Sequence, residues 1–170
     1  MRWLPVIVVS ALAIVAQTSV VPLLAIGGAR PDVILVVVIF WAWHLPFPPA
    51  VAVGLGIGVA AGCLSAEPMG LFAVVYFAAA LAAFRLREFL FLRHLVTQVV
   101  VTAVIAVLTA ALLSAYVAWR YPGAGHWTFI TRQVFAAAAY TALCAPLIHR
   151  PLLRASRLLG IAGARYPYSR

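Results

Sequence analysis

The chain reads as an all-α membrane bundle, and three observations predict that class. Hydrophobic residues fill 66% of its 170 positions, and the mean hydropathy is +1.12. Acidic residues number three, Asp32, Glu67 and Glu88. Several apolar runs approach the roughly 20 helical residues needed to cross about 30 Å of hydrocarbon, and short punctuated loops separate them. At 18.2 kDa there is room for one domain, 1–170, of about six transmembrane helices.

The first span is expected over 4–26. Met1-Arg2-Trp3 and Ala11-Leu12-Ala13 resemble a cleaved secretory signal, but the apolar run continues well past that point, so the segment is read as a retained helix. Gly27-Gly28-Ala29-Arg30-Pro31-Asp32 then turns the chain, with Pro31 suited to a helix start and Asp32 to the positive pole of the next helix dipole. From Val33 to Ala66 run 34 residues, about 51 Å if fully helical and too long for one perpendicular span. Pro46, Pro48 and Pro49 divide this stretch into two short helices, 33–45 and 50–66, which can tilt or thin the bilayer. Further helices are expected over 69–84, 95–119 and 132–149. A basic loop, Arg85 to His94, lies between the fourth and fifth, and Pro151 opens a basic tail, 150–170.

All twelve basic residues are Arg, and eight of them fall in that loop and tail. Cytoplasmic segments carry such an excess, and anionic lipid attracts it at about 1 kcal/mol per charge. Loop and tail are therefore placed in the cytoplasm, and nucleic acid is not expected as a partner. Six helices with the N-terminus inside put nine arginines in and three out. Five helices with the N-terminus outside merely exchange Arg2 for Arg30, so charge alone leaves the count open. The proline and length argument selects six, with both termini cytoplasmic.

Small residues recur every fourth position in the third helix: Ala50, Gly54, Gly58, Gly62 and Ala66. In lipid, such ridges let helix backbones approach closely, either within the bundle or against a partner. A polar seam of the same spacing, Gln98, Thr102, Ala106, Ala110 and Ser114, follows the fifth helix, with a milder Gln133, Ala137, Thr141, Ala145 version in the sixth. Gln, Thr and Ser there are expected to hydrogen-bond across helices. Ser10 and Gln17 share one face of the first helix.

Chemistry has little to stand on. The acids map to helix ends, and the histidines (His44, His94, His126, His149) map to boundaries or loops without metal spacing. Cys63 and Cys144 sit apart in apolar runs, where thiols act as small hydrophobes. No enzyme, cofactor or metal is expected.

Gln17-Thr18-Ser19 with Pro22, the Arg30-Pro31-Asp32 element, the glycine-rich third helix and Glu67-Pro68-Met69-Gly70-Leu71 together resemble the rod shape-determining protein MreD family. Arg30, Pro31, Asp32, Pro68 and Gly70 are the motif positions carried over. One departure is that family members often bear an aspartate at the position matching Gly62. The resemblance implies a bacterial inner-membrane scaffold of the cell-elongation machinery. Its implied partners are MreC and, indirectly, MreB and the peptidoglycan transpeptidase and glycosyltransferase. It also implies a fold similar to the membrane substrate-binding subunits of energy-coupling-factor transporters. The alternative function is therefore a small-molecule binding subunit of a vitamin-type transporter. Against it, the Ala-x-x-x-Ala docking ridge of such subunits is absent from the first helix, where Val15 and Val20 follow Ala11 and Ala16.

Overall fold

The computed structural model describes residues 3–65, 68–89, 95–120 and 127–158. Every named element among them is helical: α1 (Trp3–Ser19), a 3-10 turn (Val21–Leu24), α2 (Val33–His44), α3 (Phe47–Cys63), α4 (Met69–Phe89), α5 (Leu95–Arg120) and α6 (Trp127–Leu158). Two stretches, Gly70–Arg87 and Val96–Arg120, are long and apolar enough to cross a membrane.

The centre of the bundle is α2. Its residues from Ile34 to Trp43 are all buried, with no exposed face among them. A helix that is apolar all round is stable only when enclosed. Here α1, α3, α4 and α6 surround it, and α5 joins the bundle mainly through α4 and α6. Twelve residues make α2 only about 18 Å long, against about 32 Å for the 21 residues of α4. The axial helix is thus shorter than the wall around it.

The closest wall contact, α3 against α4, explains the glycine ridge. Ala50, Gly54, Gly58 and Gly62 are all buried. A Cβ on Gly54 would lie 2.6 Å from the Ala80 Cβ, and one on Gly58 would lie 2.6 Å from the Phe72 carbonyl oxygen and 2.7 Å from the Ala73 Cα. This half of the ridge is used inside the bundle, which leaves it unavailable as a partner surface. Ala66 lies outside the described residues.

Several boundaries differ from expectation. α1 ends at Ser19 rather than 26, because Pro22 lacks an N–H and sits at the start of the 3-10 turn. Gly27 and Gly28 then take φ of +58° and +85°, a pair of positive angles that closes a two-residue turn between Ile26 and Ala29. α3 starts at Phe47, because Pro48 and Pro49 fall in its first turn, where a missing N–H costs nothing. It ends at Cys63, not at 66.

α4 continues to Phe89, so Arg85 and Arg87 are helical rather than loop. α6 runs from Trp127 through Pro146 and Pro151 to Leu158, well past 132–149 at both ends. Each interior proline removes one helical hydrogen bond. Leu152 and Leu153 pack on the core beyond the second, and that burial favours continuing the helix. The tail after 158, His94 and His126 lie outside the described residues.

Candidate functional site

Asp32, expected at the positive pole of the helix that follows, is the N-cap of α2. Its Oδ1 accepts from the Leu35 N–H at 2.8 Å, one of the donors a helix start leaves unpaired. The residue sits at a helix end, yet that end lies within the bundle. Oδ2 accepts from the Tyr76 hydroxyl of α4 at 2.9 Å. The Asp32 N–H donates to the Thr141 hydroxyl of α6 at 2.9 Å, and that hydroxyl donates to the Ala137 carbonyl at 2.7 Å.

One residue further out, the Gln17 amide of α1 is used at both ends. Its Nε2 donates to the Pro31 carbonyl at 3.2 Å, and its Oε1 accepts from the Val33 N–H at 2.8 Å. Tyr140 of α6 adds a hydroxyl bond to the Leu24 carbonyl at 3.0 Å. The start of α2 is therefore tied by side chains to α1, α4 and α6. In a low-dielectric interior such bonds replace water that is not present, and leaving one partner unmade is expensive.

Because α2 is short, space remains over its N-terminus. A cavity of about 370 Å³ opens there, lined by every helix: Gln17 from α1, Asp32 from α2, Ala61 from α3, Phe72 and Tyr76 from α4, Thr109 from α5 and Thr141 from α6. Arg30 lines it too and is itself exposed. Its walls are mostly aliphatic and aromatic, and the side chains of Gln17, Tyr76 and Thr141 gather around Asp32 on one side.

The other end of α2 is capped by charge. The Arg87 Nη1 of α4 donates to the carbonyls of Leu45 at 2.8 Å, Ala42 at 3.2 Å and Trp43 at 3.4 Å. A guanidinium over the last carbonyls complements the negative pole of the helix, as Asp32 complements the positive one. Arg87 also stacks 3.7 Å from the centroid of the Phe84 ring, which packs edge-on against Phe47 at 5.1 Å. His44 donates from Nδ1 to the Phe40 carbonyl at 2.7 Å and stacks on the Phe40 ring. His149 is 2% exposed and donates from Nε2 to the Val36 carbonyl at 3.2 Å. It was expected at a boundary, but the extension of α6 places it inside the core against Trp43.

The sequence-derived candidates separate cleanly. Asp32 and Pro31 belong to the network, and Arg30 stands at the cavity rim. Pro68 and Gly70 do not: both are exposed, and Gly70 has no atom within 4 Å of where a Cβ would stand. In the seam of α5, Thr102 is fully buried but its hydroxyl has no hydrogen-bond partner, so it does not tie helices together. Gln98 and Ser114 are part-buried. Side-chain bonds between elements are made by Gln17, Tyr76, Arg87, Tyr140, Thr141 and His149. Tyr76 and Arg87 had no sequence signal, because an aromatic in an apolar run and an Arg in a basic cluster both look ordinary. Ser10 Oγ and the indole N–H groups of Trp41 and Trp43 are likewise buried without partners. Among the described residues, no three His, Cys, Asp or Glu side chains come together as a metal set. Comparison with family models, curated proteins and solved structures finds no match to this chain.

Proposed function

We propose that this chain is a six-span bacterial inner-membrane protein of the MreD type, a non-enzymatic scaffold that binds MreC and helps organise cell-wall elongation. The observation that carries the reading is the place of the Arg30-Pro31-Asp32 element, the most specific piece of the resemblance. Asp32 and the Pro31 carbonyl hold the start of the central helix to three neighbours, so the motif acts as a structural keystone. A motif used in this way suits a protein whose role is to present a shaped helical surface.

Alternating the six helices across the bilayer puts Arg85, Arg87, Arg150 and Arg154 on one face, together with the C-terminal tail. Arginine excess marks that face as cytoplasmic. Arg150 and Arg154 are exposed, four residues apart on the continuation of α6, and form one basic stripe there. This stripe associates with anionic lipid through charge. Binding of the full chain in nanodiscs to anionic over neutral lipid should weaken as salt rises; salt-insensitive binding rejects the electrostatic account.

The main test is co-purification of the full chain with MreC in mild detergent. Recovery of a stoichiometric complex supports the scaffold reading. Failure to capture MreC, with the chain monodisperse and folded, rejects it.

A further inference from the structure

We propose that the vestibule over the N-terminus of α2 binds a small molecule with an apolar body and a positively charged, hydrogen-bond-donating head, the head seated on the Asp32 carboxylate. This inference stands apart from the scaffold reading and does not need it.

At about 370 Å³ the cavity falls at the small end of the range that takes organic ligands. It is central to the bundle rather than a surface crease, because all six helices contribute to its wall.

The chemistry of the occupant follows from which polar atoms are already committed. Both ends of the Gln17 amide bond to backbone, and Thr141 both donates and accepts within the network. Thr109 donates to its own helix at the Ile105 and Ala106 carbonyls. The Asp32 carboxylate differs from these. Its two oxygens offer about four lone-pair sites; the Leu35 N–H and Tyr76 O–H occupy one on each oxygen, and the Ile34 N–H is also directed at the carboxylate. No basic side chain among the described residues pairs with it. The strongest remaining capacity there is therefore acceptor, and a cationic donor stabilises the ionised carboxylate against the burial that disfavours it. The apolar walls, Leu35, Phe72 and Leu113 among them, select an aliphatic or aromatic body. Arg30, in solvent at the rim, marks the mouth, where a ligand's polar tail emerges.

The test uses charged thiol reagents on the full chain in detergent. Ala110 lines the cavity and is replaced by Cys in a background with Cys63→Ser and Cys144→Ser. A cationic methanethiosulfonate bearing a primary ammonium (aminoethyl) and an anionic one (ethylsulfonate) are compared. Each rate is normalised to that at the exposed native Cys63 in the Cys144→Ser chain. The expected result is about a tenfold or greater preference for the cationic reagent at Ala110→Cys, in keeping with a charge-assisted contact. That preference collapses with Asp32→Asn. Tryptamine protects the thiol saturably, and indole-3-propionate does not. Equal or faster reaction of the anionic reagent, or protection by the anionic indole alone, overturns the proposal, as does tryptamine giving no saturable protection. Should Asp32→Asn fail to fold, Ala137→Phe fills the cavity without altering the carboxylate. Protection by tryptamine that survives Ala137→Phe overturns the site. Loss of MreC capture changes none of these readouts, so the two proposals fail separately.

Discussion

Replacing Gly58 with Ala tests whether the α3–α4 contact is what holds the wall of the bundle shut. A methyl at Gly58 would stand 2.6 Å from a backbone oxygen and 2.7 Å from a Cα of α4, and neither atom can swing aside. The two helices must separate by roughly 1 Å to restore ordinary contact distances. Overpacking of this kind costs about 1–3 kcal/mol. The helix-propensity gain of Ala over Gly, about 0.5–1 kcal/mol, opposes it.

The same helix supplies its own control. Gly56, two residues away, is exposed and has nothing within 4 Å of a built Cβ. Gly56→Ala therefore collects the propensity gain with no clash. Purified in the same detergent and melted by tryptophan fluorescence, Gly58→Ala should unfold at a lower temperature than wild type, and Gly56→Ala at the same or a higher one. The difference between the two should be about 1–3 kcal/mol, the overpacking cost alone, because the propensity gain and micelle effects cancel. Equal melting temperatures for the two alanines would refute close backbone packing as the role of the ridge.

Three further outcomes follow. Tyr76→Phe removes the phenol donor from Asp32 and should lower stability by about 1 kcal/mol, read from the same melts; no change means the bond is not made in the folded protein. Arg87→Gln should destabilise the C-terminal end of α2 by about 1–3 kcal/mol, and Arg87→Lys should recover only part of this because an ammonium loses the planar stacking on the Phe84 ring. Full recovery by Lys would show that charge alone suffices there. Gly28→Ala forces a side chain into positive φ and, in addition, brings a Cβ within 2.7 Å of the Gln133 amide nitrogen. It should cost about 1–2 kcal/mol, most of it from backbone strain, since the Gln133 end can move; an unchanged melting temperature rejects the strained-turn reading.

Much of the helical order was legible in the chain, because hydropathy and proline act locally. The start of α2 after Asp32, the α2–α3 break at Pro46 and the extent of α5 followed from residues within a few positions of each boundary. The misplaced ends have a common origin. α4 runs on to Phe89 and α6 to Leu158 because residues there find distant partners: Arg87 on the carbonyls of α2, and Leu152 and Leu153 on the core. Basic residues and prolines signal the end of a helix only when nothing else holds the turn.

The candidate site divides the same way. Asp32 was visible at the positive pole of α2 because a charge beside a helix start is a local signal, whereas its cap bond to Leu35 came from the structure. Tyr76 and Thr141 were not visible as its partners, since they lie 44 and 109 residues away and only packing brings them near. Composition by itself determined that the chain would fold as apolar helices with few charged groups, because removing that much hydrocarbon from water dominates every other term. Only the tertiary structure decided that the most apolar helix is also too short for its enclosure. From that single mismatch of length come the vestibule, its placement against the carboxylate and the need to cap α2 at both ends.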